Sequence, residues 1–352
     1  MLIDWLTLRI PLTPALGENL YARLRDCMGV TVNIDCNGVE KWRKHSLDID
    51  TLRSDCAGLF WSITCDANSQ QYLSVGASPA SIEHDGMNVF GSVDVEHCAK
   101  VLLNHVSVGL VAILPHWRAW QCRRLDITAN YDMGSPAQVK QALRLLLATD
   151  APRRRTNSDR KGGDSVYWNP SSDIKAAKAY HKGAHLRYLK KKGGFEISED
   201  LLSLADNLLR LELKLGSRWF RRLSEAGHDW QDLTLQVLQY QHHSFFKTLI
   251  GDSAIEVNDM GKLLEELEKV CPSPARALAV HKTFALIKTL GYTQTKESTP
   301  KATFYKHCAS LRLAGLSSAD LCAGKVLELR MRTLLLTEPV LCWDDIRNRK
   351  AA

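Results

Sequence analysis

The amino-acid sequence lacks the long apolar runs that carry a chain into or across a membrane. Its most apolar stretch, residues 101–115, is interrupted by Asn104 and His105 and ends at Pro115. A membrane-spanning helix needs about 20 predominantly apolar residues, so we interpret this stretch as a buried helix that leads into a turn. The first residues include Asp4 and contain neither a basic region nor a long apolar segment of the kind found in secretory signals. We therefore expect a cytoplasmic protein with no membrane partner.

The sequence also lacks paired cysteines, low-complexity tracts and a fixed-period repeat. It has ten cysteines, but no two of them form a CxxC pair or a compact cluster. This pattern excludes a zinc ribbon and a thioredoxin-like motif, and it favours reduced, mostly buried thiols. With 352 residues, 45% of them apolar and 24% charged, the chain has the composition of an ordinary globular protein of about two domains.

Positive charge is concentrated in one segment. The net charge is only +7, yet residues 153–192 contain twelve lysines and arginines against three aspartates and no glutamate. A basic run is often a solvated face, but it also attracts polyanions. This segment encloses the candidate catalytic residues described below.

The first 225 residues have the pattern of an α+β fold. β-rich runs between turn residues predict an antiparallel sheet, and apolar-periodic segments predict helices packed on it. The predicted strands cover residues 3–10, 30–35, 58–65, 71–78, 88–91, 123–131, 165–168, 174–182 and 208–215, and the predicted helices cover residues 95–110, 136–149 and 201–207. We assign residues 1–225 to this domain and residues 226–352, where helical patterns take over, to an all-α C-terminal domain.

Residues 275–315 have the pattern of a helix-turn-helix. Two predicted helices, 275–290 and 300–313, are joined by a connection whose turn, at residues 291–293, begins with a glycine. The second helix carries Lys301, Thr303, Tyr305, Lys306 and His307. We expect Lys301, Thr303, Tyr305 and Lys306 to contact DNA, as recognition-helix side chains do. The alternative is a helical hairpin that serves only in packing.

Two predicted strands carry carboxylates on their polar faces. Side chains alternate between the two faces of a strand, so Arg124 and Asp126 share one face, as do Arg210 and Glu212. If the two strands lie close together, Asp126 and Glu212 converge and offer the oxygen ligands that Mg²⁺ or Mn²⁺ prefers. The alternative is that both carboxylates simply face water.

Tyr180 is the candidate nucleophile between these strands. In an extended segment, Lys178, Tyr180 and Lys182 share a face, which places a phenol between two cations. Nearby ammonium groups favour the phenolate and attract a phosphate, which suits phosphodiester chemistry. The alternative is a tyrosine that serves only in packing.

His185 is a candidate metal ligand beside Asp126 and Glu212. His181 and His185 have the spacing of a zinc-protease helix, but Lys182 stands where that motif needs a glutamate. A zinc hydrolase is therefore not predicted.

Several blocks of the sequence resemble, in order, the gene II/X replication proteins of filamentous phages and related plasmids. They include an Arg-x-Asp strand, a Trp-Asn turn, an Ala-Tyr-x-Lys segment and an Arg-x-Glu strand. The blocks lie at residues 1–9, 77–80, 88–94, 124–128, 166–169, 178–182, 209–212 and 303–307.

The resemblance implies a divergent HUH-type, Rep-like endonuclease domain followed by the helical domain. Such proteins nick the plus strand of a double-stranded origin, keep the 5′ phosphate on a tyrosine and later rejoin the displaced strand. It implies Tyr180 as nucleophile, Lys182 as a phosphate contact, and Asp126 and Glu212 as ligands of Mg²⁺ or Mn²⁺. His185 stands where the family usually has glutamate, and no His-hydrophobe-His motif occurs near Asp126.

The implied partners are phage or plasmid origin DNA, both double-stranded and as the displaced single strand, and a host helicase and polymerase. We expect Lys178, Arg124 and Arg210 to contact the DNA. Two alternatives stay open. One is a non-catalytic DNA-binding regulator, and the other is a metal-dependent phosphodiesterase that uses water as nucleophile.

Overall fold

The computed structural model describes most of the chain. The described residues are 1–13, 20, 24, 28–47, 59–65, 70–148, 156–158, 165–191, 196–250, 260–316, 321 and 339–351. Of the basic segment at residues 153–192, residues 153–155, 159–164 and 192 lie outside them.

A ten-stranded antiparallel sheet organises the N-terminal part. Its strands are β1 (Leu2–Pro11), β2 (Met28–Ile34), β3 (Glu40–Leu47), β4 (Phe60–Cys65), β5 (Gln71–Ala77), β6 (Gln121–Asp132), β7 (Thr156–Ser158), β8 (Ser165–Trp168), β9 (Lys175–His181) and β10 (Leu208–Leu215). The spatial order is β2-β3-β4-β5-β1-β6-β10-β9-β8-β7. The two carboxylate-bearing strands, β6 and β10, are therefore neighbours near the middle.

Twelve helices complete the described part of the chain. They are α1 (Pro79–Glu83), α2 (Val95–Leu110), α3 (Pro136–Ala148), α4 (Lys182–Lys191), α5 (Glu199–Ala205), α6 (Ser217–Glu225), α7 (Leu235–Ile250), α8 (Met260–Val270), α9 (Pro274–Leu290), α10 (Tyr292–Ser298), α11 (Lys301–Leu313) and α12 (Trp343–Ala351). Asp94 accepts a hydrogen bond from the backbone NH of His97 and so caps α2. Within the described residues, no helix is long and apolar enough to span a membrane.

Strand alternation decides which face of the sheet is buried. Leu209, Leu211, Leu213 and Leu215 of β10 are all fully buried and share a core with side chains from α2, α3 and α7. These helices therefore cover one face of the sheet. The opposite face carries the polar row that was predicted on β6 and β10.

The predicted mixture of helices and antiparallel sheet is confirmed, with three local corrections. The sequence prediction missed β3 and β7. It also made residues 88–91 a strand, whereas they form a loop, in which polar atoms of Asn88 bond side chains rather than a neighbouring strand. Lys182 does not continue β9 but begins α4.

The C-terminal helices α8 to α11 have a core of their own. Leu267, Phe284 and Phe304 lie at its centre, each fully buried. The connection between α9 and α11 differs from the prediction, because α10 begins at Tyr292, inside the turn predicted at residues 291–293. The domain boundary at residues 225/226 stays a prediction; α7, just beyond it, packs on the sheet.

Candidate active site

The register of three strands brings the predicted residues onto one face of the sheet. Across β6 and β10, Glu212 lies opposite Thr128, and Lys214 lies opposite Asp126. Across β10 and β9, Arg210 lies opposite Tyr180, and Glu212 lies opposite Lys178. Directly opposed residues point to the same side of a sheet, so Asp126, Glu212 and Tyr180 share the polar face.

Tyr180 is hydrogen-bonded to Glu212 on the polar face of the sheet. Its hydroxyl donates a hydrogen bond to Oε1 of Glu212 at 2.6 Å, and the residue is only 3% exposed. Burial, reinforced by the charge of Glu212, raises the pKa of Tyr180 well above its usual value. Lys178 lies over the phenol, with Nζ 3.9 Å from the ring centroid. Tyr180, the predicted nucleophile, is thus a neutral phenol whose hydroxyl is hydrogen-bonded to a carboxylate.

Arg210 is the buried cation of the site. Its side chain is 0% exposed and forms ion pairs with Asp4, at 2.9 Å between Nη2 and Oδ1, and with Glu212, at 3.3 Å between Nε and Oε1. Nη1 donates a hydrogen bond to the backbone carbonyl of Asn88. Arg210 therefore contacts other protein groups, and its assignment as a direct DNA contact remains a prediction.

Asn88 connects Asp4 to Lys182. Its Nδ2 donates to Oδ1 of Asp4 at 2.7 Å, and its Oδ1 accepts from Nζ of Lys182 at 2.7 Å. Burial and then the nearby charge of Arg210 lower the pKa of Lys182 well below its usual value. Burial alone would raise the pKa of Asp4, but the charges of Arg210 and Lys182 lower it. Lys182 thus reaches the site from the first turn of α4.

Asp4 and Asn88 had no role in the sequence prediction. Asp4 lies at a register shift of β1 between Ile3 and Trp5, the position of a β-bulge. Asp4 pairs with Arg210, and Trp5 lies opposite Asp126, so the bulge turns two successive side chains to the polar face. Only their place in two blocks of the family resemblance could have indicated these residues.

Asp126 lies on the same face and is paired with Arg124. Nε of Arg124 donates to Oδ1 of Asp126 at 2.8 Å, and Nη2 bonds the second carboxylate oxygen. Burial raises the pKa of Asp126 even though the Arg124 hydrogen bond lowers it. Arg124 keeps a side chain that is 43% exposed.

His185 packs against Tyr180 and carries a ring nitrogen without a hydrogen-bond partner. Its ring meets that of Tyr180 edge to face, with centroids 5.3 Å apart. Burial, and next the charge of Lys182, lower the pKa of His185 to about 3, so the imidazole is neutral. Its Nδ1 is buried without a hydrogen-bond partner. By contrast, Nε2 of His181 bonds the backbone carbonyl of Asp206 at 2.7 Å, so the two histidines do not form a pair.

The donor set has the chemistry of a divalent-cation site, although its members have protein partners. His185 offers a free lone pair, and the carboxylates of Asp126, which is buried, and of Glu212, which is 15% exposed, are of the type that such cations prefer. Within the described residues, no group of three or more His, Cys, Asp or Glu side chains is arranged closely enough to hold a metal ion. The three ligands therefore stay a prediction.

The predicted DNA contacts of the C-terminal domain lie on α11. Lys301, Tyr305 and Lys306 are exposed there, and Thr303 is partly exposed. Phe304 and Cys308 of the same helix are buried in the separate core of α8 to α11. The exposed side chains are accessible to a partner, but the helix-turn-helix remains a prediction.

Comparison with known proteins identifies a family for the part of the chain that holds this site. Residues 2–236 match the Phage CRI family model, which describes the N-terminal part of a replication-associated protein. A comparison with curated proteins gives no match. One solved structure, a rolling circle replication initiator protein from Geobacillus stearothermophilus, aligns with 73% of this chain and 88% of its own, at 13% identity and a TM-score of 0.34. Agreement at that level carries no argument, so the family assignment rests on the family model.

Proposed function

We propose that this chain, which belongs to the Phage CRI family of replication-associated proteins, initiates rolling-circle replication by nicking and rejoining the plus strand of its origin. The observation that carries the proposal is the partly buried hydrogen bond of 2.6 Å from the Tyr180 hydroxyl to Glu212. It presents a nucleophile and a proton acceptor together, in a site lined with cations.

Tyr180 attacks the scissile phosphate in the first step. A bond forms between its phenolic oxygen and phosphorus, the phenol proton passes to Glu212, and the bond from phosphorus to the 3′ oxygen breaks. The departing 3′ oxygen takes up a proton from water, Glu212 releases the phenol proton to water, and the strand ends in the 3′ hydroxyl that a polymerase extends. Because the phosphotyrosine is still a phosphodiester, attack by a later 3′ hydroxyl rejoins the strand and returns the proton to Tyr180 without ATP.

The surrounding cations bind and orient the phosphate. Lys178 covers the phenol ring of Tyr180. When DNA displaces the Lys178 side chain, the phenol becomes accessible and the ammonium group contacts the entering strand. Lys182, which donates a hydrogen bond to Asn88, would be the phosphate-contacting lysine, and a bound phosphate would raise its lowered pKa. Arg210 holds Glu212 in place through their ion pair.

Glu212, Asp126 and His185 would hold Mg²⁺ or Mn²⁺ at the site. Such an ion supplies polarisation of the phosphate and stabilises negative charge on the departing oxygen. Their fit rests on the free Nδ1 of neutral His185 and on the carboxylates of buried Asp126 and partly buried Glu212, which share one face of the sheet. The helices α9 to α11 would hold duplex origin DNA, and a host helicase and polymerase would use the opened strand.

Metal binding can be tested without any activity. His185→Ala is expected to weaken Mn²⁺ binding, measured by loss of the free-ion electron paramagnetic resonance signal, by about tenfold or more. His228→Ala removes an exposed histidine and should bind Mn²⁺ as the wild type does. Equal Mn²⁺ affinity of the wild type and His185→Ala would remove His185 from the ligand set.

The covalent intermediate tests the proposed function directly. Labelled single-stranded oligonucleotides tiling the replicon that encodes this chain are incubated with the protein and Mg²⁺ or Mn²⁺, then separated on a denaturing gel. We expect a protein–DNA adduct from the oligonucleotide that contains the nick site. Mass spectrometry of the digested adduct should place the nucleotide on the peptide that contains Tyr180.

Each other outcome supports a rival. Cleavage without an adduct would identify water as the nucleophile. Specific binding of the origin with neither cleavage nor adduct would make the chain a non-catalytic regulator.

A further inference from the structure

Three aromatic side chains continue the polar face of the sheet beyond Asp126. Trp5 of β1 and Phe60 of β4 are stacked, with ring centroids 6.4 Å apart and an interplanar angle of 8°. Tyr72 of β5, opposite Pro11 of β1, lies farther along the same face. We call Trp5, Phe60 and Tyr72 the aromatic platform.

Strand register shows that the platform and the Tyr180 site share a face. Trp5 lies opposite Asp126 on β6. Arg9, four residues farther along β1, hydrogen-bonds Gln121 through Nε at 2.9 Å, and its guanidinium lies over Tyr72 at 4.4 Å. With a rise of about 3.3 Å per residue, Trp5 and Arg9 are about 13 Å apart along the strand.

The local structure holds the rings flat against the sheet. A Cβ atom on Gly76 would lie 2.5 Å from Cε1 of Phe60 and 2.9 Å from Oγ1 of Thr7, so the absence of a side chain at Gly76 makes room for the Phe60 ring. The indole Nε1 of Trp5 donates to the same Thr7 hydroxyl at 2.9 Å. Phe60 nevertheless remains 36% exposed. An apolar ring fixed in place at the surface is suited to stacking against a planar ligand.

Arginines accompany the rings along the whole track. The Arg124 guanidinium lies 5.3 Å from the Trp5 ring centroid, and the same side chain bonds Asp126. Beyond Arg9, the track reaches a cavity of about 400 Å³. The charged side chains that line this cavity are the four arginines Arg9, Arg118, Arg123 and Arg221 and the single carboxylate Asp229.

The excess of arginines over carboxylates makes this cavity suited to binding an anion. Burial, and next the charge of Arg9, lower the pKa of Arg123, which shows that like charges lie close together there. A bound phosphate would relieve this repulsion. The track therefore begins at the candidate scissile site, presents rings with flanking guanidinium groups, and ends in a cationic cavity.

We infer that single-stranded DNA flanking the scissile phosphate lies along this track. Its bases stack on the aromatic platform, Arg124 and Arg9 contact its phosphates, and the arginine cavity holds a phosphate farther along the strand. Stacking on aromatic rings accepts every base, so this surface binds the strand without reading its sequence. The inference rests on the proposed function for the identity of the ligand as DNA.

The test measures binding, not nicking. The affinity of a fluorescein-labelled oligothymidylate of about 12 nucleotides is determined by fluorescence anisotropy in the full-length chain without divalent metal. Phe60→Leu, which removes the ring at a partly exposed position, is expected to weaken binding about tenfold, the effect of losing one stacked base. Phe60→Tyr keeps the ring and should bind as the wild type does.

Two further variants keep the result interpretable. Tyr240→Leu removes an aromatic ring that is 68% exposed on α7, away from the track, and should not change the affinity. Arg9→Gln should reduce the slope of log affinity against log salt by about 0.7, the value for one phosphate contact to a single strand. Thermal unfolding followed by circular dichroism confirms that each variant is folded.

The inference fails if Phe60→Leu binds as the wild type does, or if Tyr240→Leu weakens binding as much as Phe60→Leu. That failure differs from failure of the proposed function, which is read from the covalent adduct. Adduct formation with unchanged oligothymidylate binding in Phe60→Leu would keep the nickase and reject the track.

Discussion

Tyr180→Phe is expected to abolish the covalent adduct and to reduce origin nicking by about 10⁴-fold or more. The substitution removes the attacking oxygen and leaves the ring that packs against His185 and Lys178. Glu212 loses one hydrogen bond but keeps its ion pair with Arg210, so the cost in unfolding free energy should be about 1 kcal/mol. The loss of activity is therefore far larger than any loss of fold. Gel analysis of adduct and nick yield, together with urea denaturation, separates the two.

The chain offers a matched control for this substitution. Tyr188 lies on α4, six residues after Lys182, and is 53% exposed. Tyr188→Phe should form the adduct at the wild-type rate. Adduct formation by Tyr180→Phe, accompanied by its loss in Tyr188→Phe, would move the nucleophile to Tyr188 and overturn the central assignment.

Strand periodicity predicted much of the geometry of the site. Alternation placed Asp126 and Glu212 on the polar faces of their strands, and the structure makes those strands neighbours. It also placed Lys178 and Tyr180 on one side of an extended segment, which β9 confirms. These relations follow from a period of two and need no knowledge of distant contacts.

Contacts between residues far apart in the chain could not be predicted in this way. Asp4 reaches Arg210 only because a bulge in β1 breaks the alternation. Asn88 sits in a run of β-rich residues, yet its polar atoms bond Asp4 and Lys182 instead of forming a strand. Neither a bulge nor a buried polar network can be predicted from residue propensities, because both depend on tertiary structure.

Gly183 marks another tertiary contact that strand alternation could not predict. A Cβ atom there would lie 2.5 Å from Cα of Asp206, so the chain at the end of β9 packs tightly against the end of α5. This approach accompanies the change from strand to helix at Lys182, which the alternating pattern had extended by one residue. As a result, Lys182 enters the site from a helix and not from a third position on the strand.

Arg210→Met is expected to lower the free energy of unfolding at neutral pH by about 3–5 kcal/mol, the cost of removing one partner from a buried ion pair. Arg210 is 0% exposed and pairs with both Asp4 and Glu212, so its loss leaves two carboxylates together without their central cation. Arg187→Met is the control. Its ion pair with Asp206, at 2.6 Å, is shorter than those of Arg210, but the arginine side chain is 46% exposed, and the expected loss is below about 1 kcal/mol.

The pH dependence of this loss identifies its cause. In the wild type, the pKa of Asp4 is held below 3.8, so the pairing stabilises the fold above that value and the contribution is lost as the pH falls through the lowered pKa. In Arg210→Met, the cation is gone and burial raises the pKa of Asp4, so protonation relieves the repulsion at mildly acidic pH. The difference between wild type and variant in urea denaturation should therefore shrink as the pH is lowered from neutral towards the ordinary carboxylate range. A difference that stays constant with pH would attribute the loss to packing instead of charge, and a loss no larger than that of Arg187→Met would show that Arg210 does not stabilise the site.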